Sequence, residues 1–195
     1  MNATRRGTAA LTARIEELER ESARQRDIEA IHDVLWRYAR ALDWLDDALL
    51  TTVFYDDAEI DYGFFRGNGC DFRTELMKLE HSVGRRWHIA VQTKVQLDGD
   101  AAEVESYQFS VSTLPGETST PADLMHAYGY YLDRMLRRGG KWGIIRRKHL
   151  LLGSTLAREI PLDGTLAALN AVGVTSPQHV DFRALSRAAR LDPPR

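Results

Sequence analysis

The apolar positions along this chain change their period from helical to strand-like. Leu11, Ile15 and Leu18 recur at spacings of four and three among Glu and Arg residues, which predicts a polar helix over residues 8–26. Its apolar stripe is thin, so this helix is expected to lean on the domain surface or on another subunit. A denser stripe of Ile28, Ile31, Leu35, Tyr38 and Leu42, broadened by Trp36, predicts a second helix with Asp27 as its cap. Asp46 or Asp47 would cap a short helix through Phe54, and Tyr55-Asp56-Asp57 reads as a turn. The period then falls to two, with Ile60, Tyr62 and Phe64 on one face of a strand. Gly67-Asn68-Gly69 interrupts it, and Asp71 is placed to cap a helix carrying Phe72, Leu76 and Leu79.

Four long strand patterns follow: 85–97, 101–113, 124–137 and 141–152. Asp98-Gly99-Asp100 and Gly139-Gly140 form tight turns, and the Pro- and Gly-bearing segment 114–122 a loop. Helices first and an antiparallel meander afterwards is an α+β order, expected to give a curved, mostly antiparallel sheet wrapped around helices with a conical pocket inside. The divisions expected are an N-terminal helical extension over 1–26, an α+β barrel domain over 27–152 and a C-terminal extension over 153–195. In the last, 162–171 and 176–189 read as helices, the second started by Pro177.

The bulk composition narrows the function. The chain has 195 residues, 44% hydrophobic and 28% charged, with a net charge of −2, the balance of a water-soluble globular protein. Lys and Arg are scattered, which removes the electrostatic case for a nucleic-acid partner. The short run Arg146-Arg147-Lys148 lies in a strand pattern and is expected to be a solvated or subunit-facing edge. No apolar run approaches a membrane span, and the N-terminus lacks the apolar core of a secretory signal. Cys70 is the single cysteine, which excludes an internal disulfide and fits a cytoplasmic setting. No metal-ligand spacing, GxGxxG, phosphate loop or GxSxG elbow is present, so the expected chemistry uses no cofactor and no metal.

Two residues far apart in sequence carry the chemical expectation. Asp43 stands where a helical pattern runs out, at the negative end of the helix dipole, which disfavours a carboxylate by about 0.3–1 kcal/mol. His88 opens a strand and shares its face with Ala90, Gln92 and Lys94, opposite Trp87, Ile89, Val91 and Val95. A carboxylate that orients an imidazole makes a general base. Tyr38 and Tyr62 offer phenols to a substrate oxygen. Phe64, Gln92, Lys94, Tyr107, Phe109 and Tyr131 are candidate pocket and substrate-binding residues, with packing and strand-end charge as the competing reading for each. Asp43 itself has a competing role in capping the next helix.

The segments Tyr38-Ala39-Arg40-Ala41-Leu42-Asp43, Phe54-Tyr55-Asp56-Asp57-Ala58, Ile60-Asp61-Tyr62, His88, Leu97-Asp98-Gly99-Asp100 and Gly139-Gly140-Lys141-Trp142 occur in one order. In that order and spacing they resemble the SnoaL-like branch of the nuclear transport factor 2-like superfamily. The layout is close to scytalone dehydratase, the bile-acid dehydratases and hexachlorocyclohexane dehydrochlorinase. The resemblance covers residues 27–152. It implies the conical-pocket fold, a homo-oligomer (a trimer above all) and a catalytic Asp43–His88 dyad, with Tyr62 polarising a carbonyl and Tyr38 assisting. Departures lie at Thr113, Tyr131 and Gln92, where those relatives carry His, Asn and Asn. The activity implied is a cofactor-independent lyase: proton abstraction, then loss of water or a small carbonyl fragment such as formaldehyde, from a phenolic or polycyclic small molecule. An isomerase or cyclase using the same dyad, and a non-catalytic binding or scaffold subunit, remain as alternatives.

Overall fold

The computed structural model describes residues 2–117, 119 and 121–184. One helix, α1 (Asn2–Trp44), runs without a break through both predicted N-terminal helices. Asp27 does not cap anything. Its Oδ1 instead accepts from Arg137 Nη1 at 2.6 Å and Trp142 Nε1 at 3.0 Å, tying the middle of α1 to a distant strand turn. Nothing in residues 8–44 interrupts helical hydrogen bonding with a Pro or Gly, so the two stripes fuse. Residues 7–22 of α1 are exposed, and the core stripe begins with Ile31, Val34, Leu35, Tyr38, Ala41 and Leu42.

Leu45 in the left-handed region (φ 53°) ends α1, with Asp46 N–H returning to Ala41 O. Asp46 then caps the short α2 (Asp47–Leu50) by accepting from Leu49 N–H. The expected turn at 55–57 is instead part of β1 (Phe54–Asp61), which pairs with β2 (Arg66–Asn68). Asn68, not Asp71, caps α3 (Gly69–Ser82), its side chain accepting from Asp71 N–H. The strands β3 (Arg86–Asp98), β4 (Ala101–Thr113), β5 (Asp123–Arg138) and β6 (Lys141–Arg158) complete the sheet.

The architecture is α+β: six strands in the order β2-β1-β6-β5-β4-β3, antiparallel except for the β1–β6 pair, and open, with β2 and β3 as edges. α1 packs on β3 and β6 and α3 on β1, all on one face of the sheet. Ala102, Val104, Tyr131, Met135 and Ile144 meet them there in the core. Gly129 lies at a bulge where a Cβ would come within 1.9 Å of Leu150 O, so only glycine fits. Among the described residues, no helix is long and apolar enough to cross a membrane.

The tail departs from expectation. Only a short 3₁₀ turn, Gly164–Ala168, forms in 162–171, and residues 176–184 are turns and extended chain; the rest of the second expected helix lies outside the described residues. Ile160, Leu162 and Leu169 are exposed, so no packing rewards a helix there. The segment still docks. Thr175 Oγ1 donates to Asp43 O, Arg40 donates to Arg183 O, and His179 and Phe182 pack on the Trp44 ring.

Candidate active site

Two clusters of polar side chains occupy the helix-facing side of the sheet. The first joins the end of α1 to the edge strand β3. One oxygen of Asp43, Oδ1, accepts from the His88 backbone N–H at 2.9 Å and lies 2.8 Å from His88 Nδ1. An edge strand leaves such an N–H free, and here α1 supplies its acceptor. The contact fixes the tautomer: Nδ1 carries the proton given to Asp43, so Nε2 is the free base. Facing Nε2 at 3.6 Å is Glu80 of α3, and Glu80 lies 3.8 Å from Arg86 Nε. His88 and Asp43 keep 13% and 16% of their side-chain surface, enough for contact with a bound molecule.

The electrostatics of this cluster favour holding protons. Burial pushes His88 down, but the Asp43 hydrogen bond and the charges of Glu80 and Asp43 outweigh it and raise the imidazole above its usual value. Burial raises the Asp43 carboxyl against the His88 bonds that lower it, and burial likewise raises Glu80.

The second cluster is a chain of phenols. Tyr38 Oη lies 2.8 Å from Tyr62 Oη, which lies 3.0 Å from Tyr131 Oη. The three hydroxyls bond among themselves, Tyr38 and Tyr131 also interacting with each other, so each phenol can exchange partners within the cluster. The Tyr62 ring stacks on His149 (4.4 Å between centroids, 20° between planes). His149 Nε2 sits 3.2 Å from Gln108 Nε2, which identifies it as the acceptor of an amide N–H. Burial, then the Arg147 charge, lowers His149 to about 4, so this ring is neutral at ordinary pH. Beneath the phenols lies Arg147, fully buried, paired through two bonds of 2.7 and 2.6 Å to Asp133 and 4.3 and 4.2 Å from the ring centres of Tyr38 and Tyr131. Burial, first of all, lifts the phenols of Tyr38 and Tyr62 well above their usual range.

The clusters stand on one sheet face. His88 pairs with Ser110, and Tyr131 with Ser106, four residues apart along β4, or about 13 Å. Between them the sheet carries Ala90, Gln108 and Gly129. Gln92 sits at a bulge in the left-handed region (φ 50°) and rims a groove of about 590 Å³, lined also by His32, Trp36, Trp87 and His88, at the sheet edge.

The structure therefore brings Asp43 and His88 together, gathers Tyr38, Tyr62 and Tyr131, and leaves Phe64 exposed against the Tyr62 ring at 5.5 Å. It does not bring Tyr107, Phe109 or Lys94 to that face. Tyr107 and Phe109 pair with Tyr130 and Tyr128 on the opposite side, because the inward phase of β4 is Ser106, Gln108 and Ser110. The bulge at Gln92 reverses the alternation of β3, so Lys94 points outward beside Glu105 and Val95 joins the core instead. The run 146–148 also departs from expectation: Arg146 and Lys148 face out, whereas Arg147 is completely buried.

Sequence reasoning missed Glu80, Arg86, Gln108, His149 and the Asp133–Arg147 pair. For Arg147 a signal existed, since its neighbours alternate with it in a strand. For Glu80 none did, because its role comes from the packing of α3 on a distant edge strand. Among the described residues no group of three or more His, Cys, Asp or Glu is placed to hold a metal ion.

Comparison with known proteins sets this geometry in context. A family model for the SnoaL-like domain matches residues 23–148. Curated proteins give no match. Solved structures do. A scytalone dehydratase-like protein from Novosphingobium aromaticivorans shares 16% identity with a TM-score of 0.61, covering 83% of this chain and 99% of that one. The hexachlorocyclohexane dehydrochlorinase LinA-type3 from Novosphingobium barchaimii shares 16% with a TM-score of 0.61, covering 76% and 99%. The Kfla4162 protein from Kribbella flavida shares 19% with a TM-score of 0.60, covering 67% and 94%. At these identities the likeness is one of fold.

Proposed function

The chain belongs to the SnoaL-like domain family, and from that premise we propose that it is a cofactor-independent lyase acting on a phenolic or polycyclic small molecule. The family and neighbours that include dehydratases and dehydrochlorinases support lyase-like or isomerase-type chemistry in general terms. The observation that carries the finer reading is the 2.8 Å contact between Asp43 and His88 Nδ1, which leaves Nε2 as a base on the same sheet face as the phenol chain.

Asp43 holds the imidazole in one tautomer and stabilises the imidazolium as it forms. His88 Nε2 takes a proton from carbon next to a carbonyl or from a phenol. A hydroxyl of the Tyr38–Tyr62–Tyr131 cluster turns its proton toward the developing enolate or phenolate oxygen. Water, or a small carbonyl fragment such as formaldehyde, then departs beta to the anion. Tyr62 and Phe64, with Gln92 at the rim, offer flat surface and a polar edge to such a substrate.

The outer face of the sheet supports self-association. Trp87, Val91, Tyr107, Tyr128 and Leu150 are exposed there together, the kind of apolar patch that marks an interaction site. A trimer fits the proposal.

The test is a thermal-shift screen of aromatic and steroidal hydroxy-ketones, followed by product mass for each hit. Loss of water or formaldehyde is the expected result, abolished by His88→Ala and strongly slowed by Asp43→Asn. Full turnover in both variants would refute the dyad; a product of unchanged mass would make the protein an isomerase.

A further inference from the structure

Building on the elimination reading, we infer that Glu80 is the general acid of this site: it protonates the departing oxygen and then recovers the proton that His88 has removed. The dyad alone leaves the reaction incomplete. Elimination of water needs a base at one carbon and an acid at the next. Asp43 is committed to two bonds from His88, and the phenol chain serves the carbonyl oxygen.

Glu80 has the place and the state that an acid needs. Its carboxyl lies 3.6 Å from His88 Nε2, on the side of the ring away from Asp43, so a substrate atom bonded to Nε2 sits beside it. That separation is too long for a hydrogen bond, so Nε2 is not committed to Glu80. The residue is 6% exposed, and its other contact, Arg86 Nε at 3.8 Å, is equally loose, with that Nε buried and without a hydrogen-bond partner. A pair built only for stability would close these gaps, because a buried carboxylate with no short bonds is costly. Glu80 also stands in the last turn of α3, at the negative end of the helix, a second reason to be protonated. The charged and titratable groups around it are His88 and Arg86 from β3, Asp43 from α1 and its neighbour His81, and burial outweighs them to raise its carboxyl.

The step balances within the site. His88 Nε2 takes the proton from carbon, and the C–H electron pair forms the new C=C bond by way of an enolate whose oxygen the phenols hold. The C–O bond to the hydroxyl breaks with its electron pair on oxygen, and that oxygen takes the Glu80 proton and leaves as water. The imidazolium Nε2–H then returns its proton across the 3.6 Å gap to the Glu80 carboxylate, restoring both groups.

The experiment uses two probes, 3-hydroxy-1-tetralone and 3-acetoxy-1-tetralone, which give 1-naphthol on elimination and differ in whether the leaving group needs a proton. Wild type should convert both. Glu80→Gln should lose about 10²-fold in kcat on the hydroxy probe, with KM little changed, and keep the acetoxy reaction. Its pH profile should change from a bell to a rise onto a plateau, because only His88 remains to titrate. Equal rates for Glu80→Gln and wild type on the hydroxy probe would overturn the assignment. Wild type acting on the acetoxy probe alone, with loss in His88→Ala, would do the same while sparing the base. Action on neither probe would remove the elimination reading and Glu80's role with it. Should Glu80→Gln fail to fold, carbonyl infrared of wild type labelled with ¹³C-glutamate reads the acid directly: a protonated carboxyl band near neutral pH, lost on Glu80→Asp, is expected, and its absence overturns the proposal.

Discussion

Replacing Asp133 with Asn isolates the most heavily buried charge among the described residues. Arg147 is 0% exposed and spends Nε and Nη2 on the two oxygens of Asp133, while Nη1 is buried without a hydrogen-bond partner. The remaining compensation is aromatic: the guanidinium lies 4.3, 4.2 and 5.3 Å from the ring centres of Tyr38, Tyr131 and Phe54. Removing one partner of a buried ion pair costs about 3–5 kcal/mol, because the survivor keeps its desolvation penalty. The rings offset part of that penalty, each cation–π contact contributing about 0.5–2 kcal/mol, which places the expected loss near 3 kcal/mol. At about 2–4 °C per kcal/mol for a chain of this size, the midpoint falls by about 6–12 °C. Urea unfolding followed by far-UV circular dichroism, at one protein concentration so that self-association does not enter, measures it. The paired change Asp133→Leu with Arg147→Met should recover most of the loss, since two apolar side chains leave no orphaned charge. A loss under about 1 kcal/mol for Asp133→Asn, with no gain in the double variant, would show that the rings alone hold the charge and would refute the account given of this core.

Asp43→Asn should lower kcat on an identified substrate by about 10²–10⁴-fold and shift the His88 imidazole signal in NMR titration to lower pH, since the Asp43 charge that helps raise it is gone. His149, held down to about 4 by burial and by Arg147, should remain neutral in the same titration well below the pH where an ordinary histidine protonates. Because its folded value lies below its unfolded one, near 6.5, the stability it contributes is present above that value and is lost as pH falls toward 4; His149→Gln should flatten that acid limb in denaturant titrations. Trp87→Glu with Leu150→Glu, both on the exposed outer face, should convert the expected trimer to monomer in light scattering without changing the circular dichroism spectrum.

Where local chemistry decides an element, its boundaries were readable. The strand β4 spans the residues its alternation predicts, and the turns at Gly99 (φ 56°) and at Gly139 and Gly140 (φ 57° and 76°) adopt the left-handed backbone their sequence implies. The dyad was readable because a carboxylate at a helix end and a histidine in a strand each sat poorly with their local surroundings. What could not be read is set by tertiary contact. Asp27 looks like a cap until Arg137 and Trp142 arrive from 110 and 115 residues away. The Gln92 bulge has no sequence marker, yet it reverses every side chain after it and moves Lys94 out of the site. The inward phase of β4 was misjudged for a related reason. Aromatic Tyr107 and Phe109 were expected to line a pocket, whereas serines and a glutamine take the helix-facing positions.

That last reversal bears on function more than on fold. A sheet packed against helices ordinarily turns its apolar face inward. Here the helix-facing side carries His88, Ser106, Gln108, Tyr131, Asp133, Arg147 and His149 in addition to its aliphatic core, while Trp87, Val91 and Tyr107 face out, 57%, 46% and 44% exposed. Either choice alone is unfavourable in an isolated chain: the first buries polar groups, of which Ser106 Oγ and Arg147 Nη1 find no partner, and the second leaves large side chains in water. Both are accounted for if each face has a further occupant. A polar molecule on the inner side would use the phenol hydroxyls and Nε2 of His88, and protein surface on the outer side would cover the tryptophan and tyrosines. The two occupancies are then linked at one strand, because the residues of β3 alternate between them: Trp87 and Val91 belong to the outer contact, His88 and Ala90 to the inner site. Loss of the outer contact should therefore loosen the edge that holds His88 against Asp43, and a variant charged at Tyr107 and Leu150, outer-face residues away from the groove at His88, should lose activity on becoming monomeric.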